Sequence, residues 1–294
     1  MDEILNMNIN EMANVSFHCS CGKTHHLDIR KIVIGSNVIS ELPSILEDFK
    51  CKKIYILCDN HTWKAAGEKV YHTLKGNHFD VSFTMIDRGE NILIPDEKAV
   101  GEMFMGLPAD TKMILSVGSG TLNDMAKYMS SRTGIPYTIV CTAPSMDGYA
   151  SSGAPLMNGG RKISYTATLP YAIIGDTDIM KNAPMKMILA GYGDIIGKLT
   201  ALADWKLSHK ITDDQIFYLF NDMIDFKLCI IIYTLNFFFI AQIKNRSPGV
   251  RHFHAEFCGQ WQVFRSKNII CKSPSLSRGC SIGCNKKYIV RLMA

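Results

Sequence analysis

The chain has no basic start followed by an apolar stretch. Its first thirty residues carry Asp2, Glu3 and Glu11 among scattered polar groups, which excludes the pattern of a secretory leader and makes the cytoplasm the expected address. It also lacks a run of about twenty apolar residues, the length that spans a bilayer. Its longest run, residues 228–243 (LCIIIYTLNFFFIAQI), reads as a core helix, so no membrane partner is expected. The ten cysteines are irregularly spaced, which fits reduced thiols rather than a disulfide framework. Cys19 and Cys21 stand only one residue apart, so with His25 and His26 they miss the usual zinc spacing and read as part of a short β-hairpin. Histidine is scarce late in the chain, where only His252 and His254 follow His209.

What is present is the composition of a globular protein. The 294 residues are 47% hydrophobic and 20% charged, enough for one large or two ordinary domains. The net charge of +5 is unevenly placed. From residue 243 onward there are ten Lys or Arg and one acid, Glu256, which leaves 22 basic and 26 acidic residues of the 32 and 27 in all. The body is thus acidic and the tail basic. Trp261 and Phe264 within that tail match no stacking platform, and no nucleic-acid partner is expected.

Short apolar runs alternate with helical patterns. Residues 1–16 read as a loose lead-in. Strands are expected at residues 31–34, 53–58, 81–86, 112–117, 136–141 and 172–175, with helices at 38–49, after Asp59 through Leu74, and at 96–106. Residues 162–168 read as a short strand or hairpin. Pro184 opens a helical part whose apolar stretch, residues 185–209, is broken by Gly191 and Gly193. Alternation on this scale predicts βαβ units and a mostly parallel sheet. The expected fold class is α/β: an N-terminal Rossmann-like nucleotide-binding domain over residues 1–180, then a helical metal-binding domain over 181–294, incomplete beyond about residue 209.

Two strand ends stand out. After residues 112–117 come Gly118 and Gly120 as a tight turn, with a helix opening over residues 123–130. A glycine turn before a helix leaves N–H groups unpaired at the positive end of the helix, where a phosphate sits well. GSGTLND has two of the three glycines of the dinucleotide fingerprint, so the motif alone is weak. The strand at 136–141 runs into Thr142, Ala143, Pro144 and Ser145, and two such strand ends predict one ligand crevice. Asp59, just past another strand end, reads equally as a ribose acceptor or as a helix N-cap. Asp194 lies in an apolar stretch, where a carboxylate is costly unless it is paired, bound to a cation or capping a helix beside Gly193.

The segments CSCGKTHHLDIRKIVIGSN, VGSGTLNDMAKYMSSRTGIPYTIVCTAPSMDGYASSGAPL and AGYGDIIGKLTALADWKLSH resemble those of the sn-glycerol-1-phosphate dehydrogenases. The resemblance is to their bacterial branch, relatives of glycerol dehydrogenases and dehydroquinate synthases, and it runs from about residue 15 to His209. It implies an α/β domain facing a helical one, with NAD or NADP and one divalent metal, Zn or Ni, between them. It implies that Gly120, Thr121, Leu122, Asn123 and Asp124 line the cofactor's phosphates, where the glycine turn already places Gly118 and Gly120 as cofactor-binding residues. Thr142, Ala143, Pro144, Ser145 and Ser151 would contact the same cofactor, and Asp59 its adenosine ribose. Asp147 would meet the substrate, and Asp194 would be the first metal ligand at the catalytic centre. The implied reaction is reduction of dihydroxyacetone phosphate to glycerol 1-phosphate in lipid biosynthesis, in an enzyme that can be a homo-oligomer. A carboxylate at Asp59 would disfavour a 2′-phosphate and so favour NAD.

Beyond His209 the resemblance fades, and nothing matches the family's histidine-bearing stretch. The tail changes composition abruptly, and residues 248–260 in alternative codons permit a glycine- and serine-rich segment like the family's. A divergent or frame-shifted tail is the expectation. Two alternatives stand beside the dehydrogenase: an inactive nucleotide-binding remnant, and a lyase similar to dehydroquinate synthase that uses NAD internally.

Overall fold

A computed structural model describes residues 7–18, 24–50 and 52–212. Its strands are β1 (Ser16–His18), β2 (Thr24–His26), β3 (Lys31–Gly35), β4 (Lys53–Asp59), β5 (Asp80–Ile86), β6 (Thr111–Gly118), β7 (Tyr137–Cys141), β8 (Gly153–Asn158), β9 (Arg161–Thr166) and β10 (Ala172–Asp176). Six of them form one sheet in the order β3-β10-β7-β6-β4-β5, every neighbouring pair parallel. The α/β class and the parallel sheet expected from the alternation are both found.

Parallel strands covered on both faces read as continuous apolar runs, because each face needs its own set of buried side chains. In β4, Ile54, Ile56 and Cys58 belong to one core and Tyr55 and Leu57 to the other; β6 likewise sends Met113, Leu115 and Val117 to one side and Ile114 to the opposite side. The helix Gly120–Thr133 and the helix Glu97–Gly106 cover one face; segments 38–49 and 63–76 cover the other. Cys58 and Cys141 are buried free thiols of these cores, and burial pushes the Cys58 thiol up to about 12.

Five expectations are corrected in detail. Residues 8–12 of the lead-in are not loose: the side chains of Asn8 and Glu11 form a capping box on the 3-10 turn Ile9–Met12, and both Ile9 and Met12 are buried. Segment 38–49 is no single helix. It is a 3-10 turn (Val38–Glu41), a short α turn (Leu42–Ile45) and another 3-10 turn (Glu47–Phe49). Pro43 is the physical reason, since proline is tolerated only in a first helical turn. After β4 the helix opens at Asn60–Thr62 and passes through a π turn (Trp63–Gly67) before the α-helix Glu68–Gly76, with Trp63 stacked on Phe83 at 4.7 Å between ring centroids. The glycine-turn helix begins at Gly120 itself, three residues earlier than expected. Finally, Gly191 and Gly193 do not break the last helix, which runs from Met185 to Thr212.

The N-terminal hairpin is present, with Ser16 paired to His26 and His18 to Thr24. His26 Nδ1 lies 2.7 Å from Ser16 Oγ, and the His25 ring packs on Phe17. Cys19, Cys21, the run 228–243, His252, His254 and the tail with Trp261 and Phe264 lie outside the described residues. Among the described residues, no helix is long and apolar enough to cross a membrane.

Candidate nucleotide cleft

The strand order creates the place for a ligand. From β4 the chain moves outward to the edge strand β5, then returns to β6 on the other side of β4 and continues to β7 and β10. The direction reverses between β4 and β6, and in open α/β sheets ligands gather outside the carboxyl ends of strands at such a switch point. A cleft of about 630 Å³ lies there, within the range of ordinary small-molecule sites. Its wall takes Asp59, His61 and Thr62 from the end of β4, and Ser119, Thr121 and Leu122 from the end of β6. Thr142 and Ala143 come from the end of β7, Asp178 and Asn182 from beyond β10, and Lys186 and Met187 from the long helix.

The glycine turn is built by close packing. Leu122 folds back against Gly118 so tightly that a Cβ there would stand 2.4 Å from Leu122 Cδ1. The Gly118 carbonyl accepts from Thr142 N at 3.0 Å, which ties the end of β6 to the segment after β7. Ser119 is the N-cap but makes no side-chain capping bond, and the first backbone bond of the helix is Asn123 N to Ser119 O at 2.9 Å. The N–H groups of Gly120, Thr121 and Leu122 therefore have no acceptor within the helix. They sit at the positive end of a 14-residue helix, beside the cleft. This arrangement fits a dinucleotide's phosphates.

The structure shows Asp59 as a helix N-cap. Its Oδ1 accepts from His61 N at 2.9 Å and from Thr62 N at 2.7 Å, while Thr62 Oγ1 accepts from Asp59 N at 3.0 Å. The capping uses one carboxylate oxygen. The same residue lines the cleft.

Other predicted residues are placed behind the wall. Asn123 is fully buried, its Nδ2 donating to Gly148 O at 3.4 Å and its Oδ1 accepting from the Tyr137 hydroxyl at 3.4 Å. Asp124 pairs with Lys127 at 3.1 Å. Burial raises the Asp124 carboxyl above its ordinary range, and Lys127 and then Lys162 oppose that shift. Lys127 Nζ also donates to Ser151 Oγ at 2.9 Å. The sequence reading missed Lys127, although its spacing of three from Asp124 on a helix was a usable signal. It also missed Ser119, although it stands between the two glycines of GSGTLND, and His61, Asn182 and Lys186, which no motif distinguishes.

Asp147 and Asp194 are brought together. Asp147 N donates to Asp194 Oδ2 at 2.9 Å, so the carboxylate of the long helix bonds the backbone of the loop after β7. The helix approaches that loop so closely that a Cβ on Gly191 would stand 1.9 Å from Pro144 O. Being inside an unbroken helix, Asp194 caps no helix start. Among the described residues, no group of three or more His, Cys, Asp or Glu is placed to hold a metal ion. The described donor set therefore does not make up a complete metal site.

A parallel sheet covered on both faces, with an open helix N-terminus at its switch point, defines the class: an α/β protein with a dinucleotide-type cleft. The family model for iron-containing alcohol dehydrogenases matches residues 33–184, and the chain belongs to that family. It is 34% identical over 212 residues to the glycerol-1-phosphate dehydrogenase [NAD(P)+] of Halalkalibacterium halodurans, covering 71% of this chain and 53% of that protein. It is 36% identical over 203 residues to the enzyme of the same name from Geobacillus thermodenitrificans, covering 68% and 50%. The chain thus spans about half the length of the curated relatives it matches. Among solved structures, the iron-containing alcohol dehydrogenase of Thermococcus thioreducens has a TM-score of 0.51 at 12% identity over 71% of this chain and 66% of that one, a likeness of fold.

Proposed function

We propose that this chain carries the nucleotide-binding half of an NAD(P)-dependent glycerol-1-phosphate dehydrogenase that reduces dihydroxyacetone phosphate. The observation that carries the reading is the open N-terminus of the helix Gly120–Thr133 at the switch-point end of β6. The curated relatives over residues shared with them supply the substrate class. The domain boundary belongs near residue 180, with the helix Met185–Thr212 opening the second domain.

In this reading the N–H groups of Gly120, Thr121 and Leu122 bind the pyrophosphate, and Gly118 keeps the turn tight. Thr142, Ala143, Pro144 and Ser145 form the opposite rim, and the Asp59 carboxylate receives a ribose hydroxyl, which favours NAD over NADP. Asn123, Asp124 and Ser151 act from behind, by fixing the loop that carries Asp147 to the substrate. When bound, the nicotinamide supplies or takes up the hydride. A divalent metal, Zn or Ni, would need Asp194 together with ligands from outside the described residues.

Fluorescence titration with NADH tests the reading, beside an NADH-oxidation assay with dihydroxyacetone phosphate and added Zn²⁺ or Ni²⁺. Saturable binding with turnover is expected; binding without turnover would identify a nucleotide-binding remnant. Gly120→Val sharpens the test. A Cβ at Gly120 meets only the flexible Met146 side chain, Cγ at 3.4 Å and Cε at 3.8 Å, so the fold is retained, but the branched side chain stands where phosphate must approach and weakens NADH binding by about tenfold or more. Unchanged affinity in that variant would move the phosphates elsewhere.

A further inference from the structure

Lys127 is 0% exposed, in the middle of the helix that opens at the glycine turn. A buried ammonium is costly unless hydrogen bonds and an opposite charge surround it. Its partners have a direction. Besides Asp124 Oδ1 at 3.1 Å, Nζ donates to Gly148 O at 2.6 Å, Ser151 Oγ at 2.9 Å and Gly153 O at 3.3 Å. Three of these four belong to one short segment, residues 148–153. Ser151 relays the contact, since its own hydroxyl is 3.0 Å from Gly148 O as donor.

That segment is the far end of the loop that begins at the cleft. Its near end is fixed by Thr142 N to Gly118 O at 3.0 Å, and its middle by Asp147 N to Asp194 Oδ2 at 2.9 Å. Gly148 N is also 2.8 Å from Met146 Sδ, the methionine that stands over Gly120. One lysine thus ties the loop to the same helix whose first turn faces the cleft.

We propose that Lys127 is a positioning residue of the nucleotide site: its ammonium holds residues 148–153 against the helix Gly120–Thr133, so that the phosphate turn and the Asp147 loop are set in register. The proposal rests on the nucleotide-binding reading above. Lys127 itself touches no ligand; it acts through the loop, and preorganising a loop raises affinity by removing the cost of ordering it on binding.

The test uses the isosteric pair Ser151→Val and Ser151→Thr in the full chain, because Val and Thr differ only by the hydroxyl that Lys127 bonds, and Lys127→Met as the direct variant. Ser151 lies in extended backbone, which both residues accept. In ligand-free protein, Ser151→Val is expected to speed amide exchange at residues 148–153 by about tenfold while β4 and β6 stay protected, with Ser151→Thr close to wild type. NADH affinity should fall by about fivefold to tenfold in Ser151→Val and recover in Ser151→Thr. Equal behaviour of the Val and Thr variants overturns the proposal, and so does faster loop exchange with unchanged NADH affinity, which would make the lysine merely structural. A wild-type chain that binds no NADH sinks the functional reading instead, and that is seen before any substitution is made.

Discussion

Two helices flank the cleft and are held in opposite ways. The helix Gly120–Thr133 is enclosed: Leu122, Met125, Ala126 and Met129 enter the sheet core, and even its lysine is buried. Gly134, at φ 70°, closes it in the left-handed conformation that lets its N–H reach Ser130 O. The helix Met185–Thr212 is twice as long and meets the loop after β7 along one face, at Gly191 and Asp194. Met185, Leu189, Ile196 and Ile211 are exposed. At 3.6 residues per turn these four fall within one stripe, on the side away from Gly191. The first helix draws its position from packing all round, and the second from a few close contacts, so single substitutions should act through different physics in each.

The largest effect is expected at Lys127. Lys127→Met leaves the half-buried Asp124 without its ion-pair partner, at a cost of up to about 3–5 kcal/mol, the value for a fully buried pair. The sign of its pH dependence follows from Asp124. Burial already raises this carboxyl above its ordinary 3.8, against the opposition of Lys127. Without the lysine it rises further, so the folded state holds the proton more tightly than the unfolded one. A raised folded pKa contributes stability at pH below the unfolded value and loses it as pH climbs through the folded value. The gap between wild type and Lys127→Met in urea denaturation should therefore be smaller at pH 5 than at pH 8. A gap that widens toward acid would mean that Asp124 does not carry the defect.

Next comes the contact that seats the long helix. A Cβ at Gly191 would lie 1.9 Å from Pro144 O and 2.9 Å from Pro144 C, backbone atoms that cannot swing aside as a side chain can. Gly191→Ala is expected to cost about 1–3 kcal/mol as overpacking, and to weaken NADH binding by moving Pro144 and with it Ala143, which lines the cleft. A thermal melt with no loss would show that the helix does not sit against this loop.

The parts of this comparison that were legible in the sequence are those governed by local periodicity. The runs that became β4, β6, β7 and β10 were readable to within a residue or two because a doubly covered strand is apolar throughout, and the Gly118 turn followed from its place between strand and helix. Segment 38–49 was not, because apolar spacing suggested one helix where Pro43 divides it. The spacing of three made the pair of Lys127 with Asp124 legible, but its hold on the loop was hidden because those bonds reach residues more than twenty positions later. Gly191 and Gly193 were misread as breaks for a related reason: a helical glycine costs only about 1 kcal/mol, which tertiary contact outweighs, and the need for Gly191 arises from Pro144, far away in the chain.

Those two glycines give the smallest effect and the sharpest control. They are two residues apart, about 200° around the helix, so they occupy nearly opposite sides. Gly191 is buried against the loop, while Gly193 is exposed and a Cβ there meets nothing within 4 Å. Asp194, three positions after Gly191, returns to the loop-facing side and finds Asp147. Gly193→Ala therefore adds no contact and removes only backbone freedom of the unfolded chain, and should stabilise by about 0.5–1 kcal/mol. Measured with Gly191→Ala, it gives opposite signs from one chemical change in one helix. Loss of stability in both would mean that the helix presents a different face to the loop. A gain in both would mean that the close approach at Pro144 does not exist, and Asp194 would then have to be placed anew.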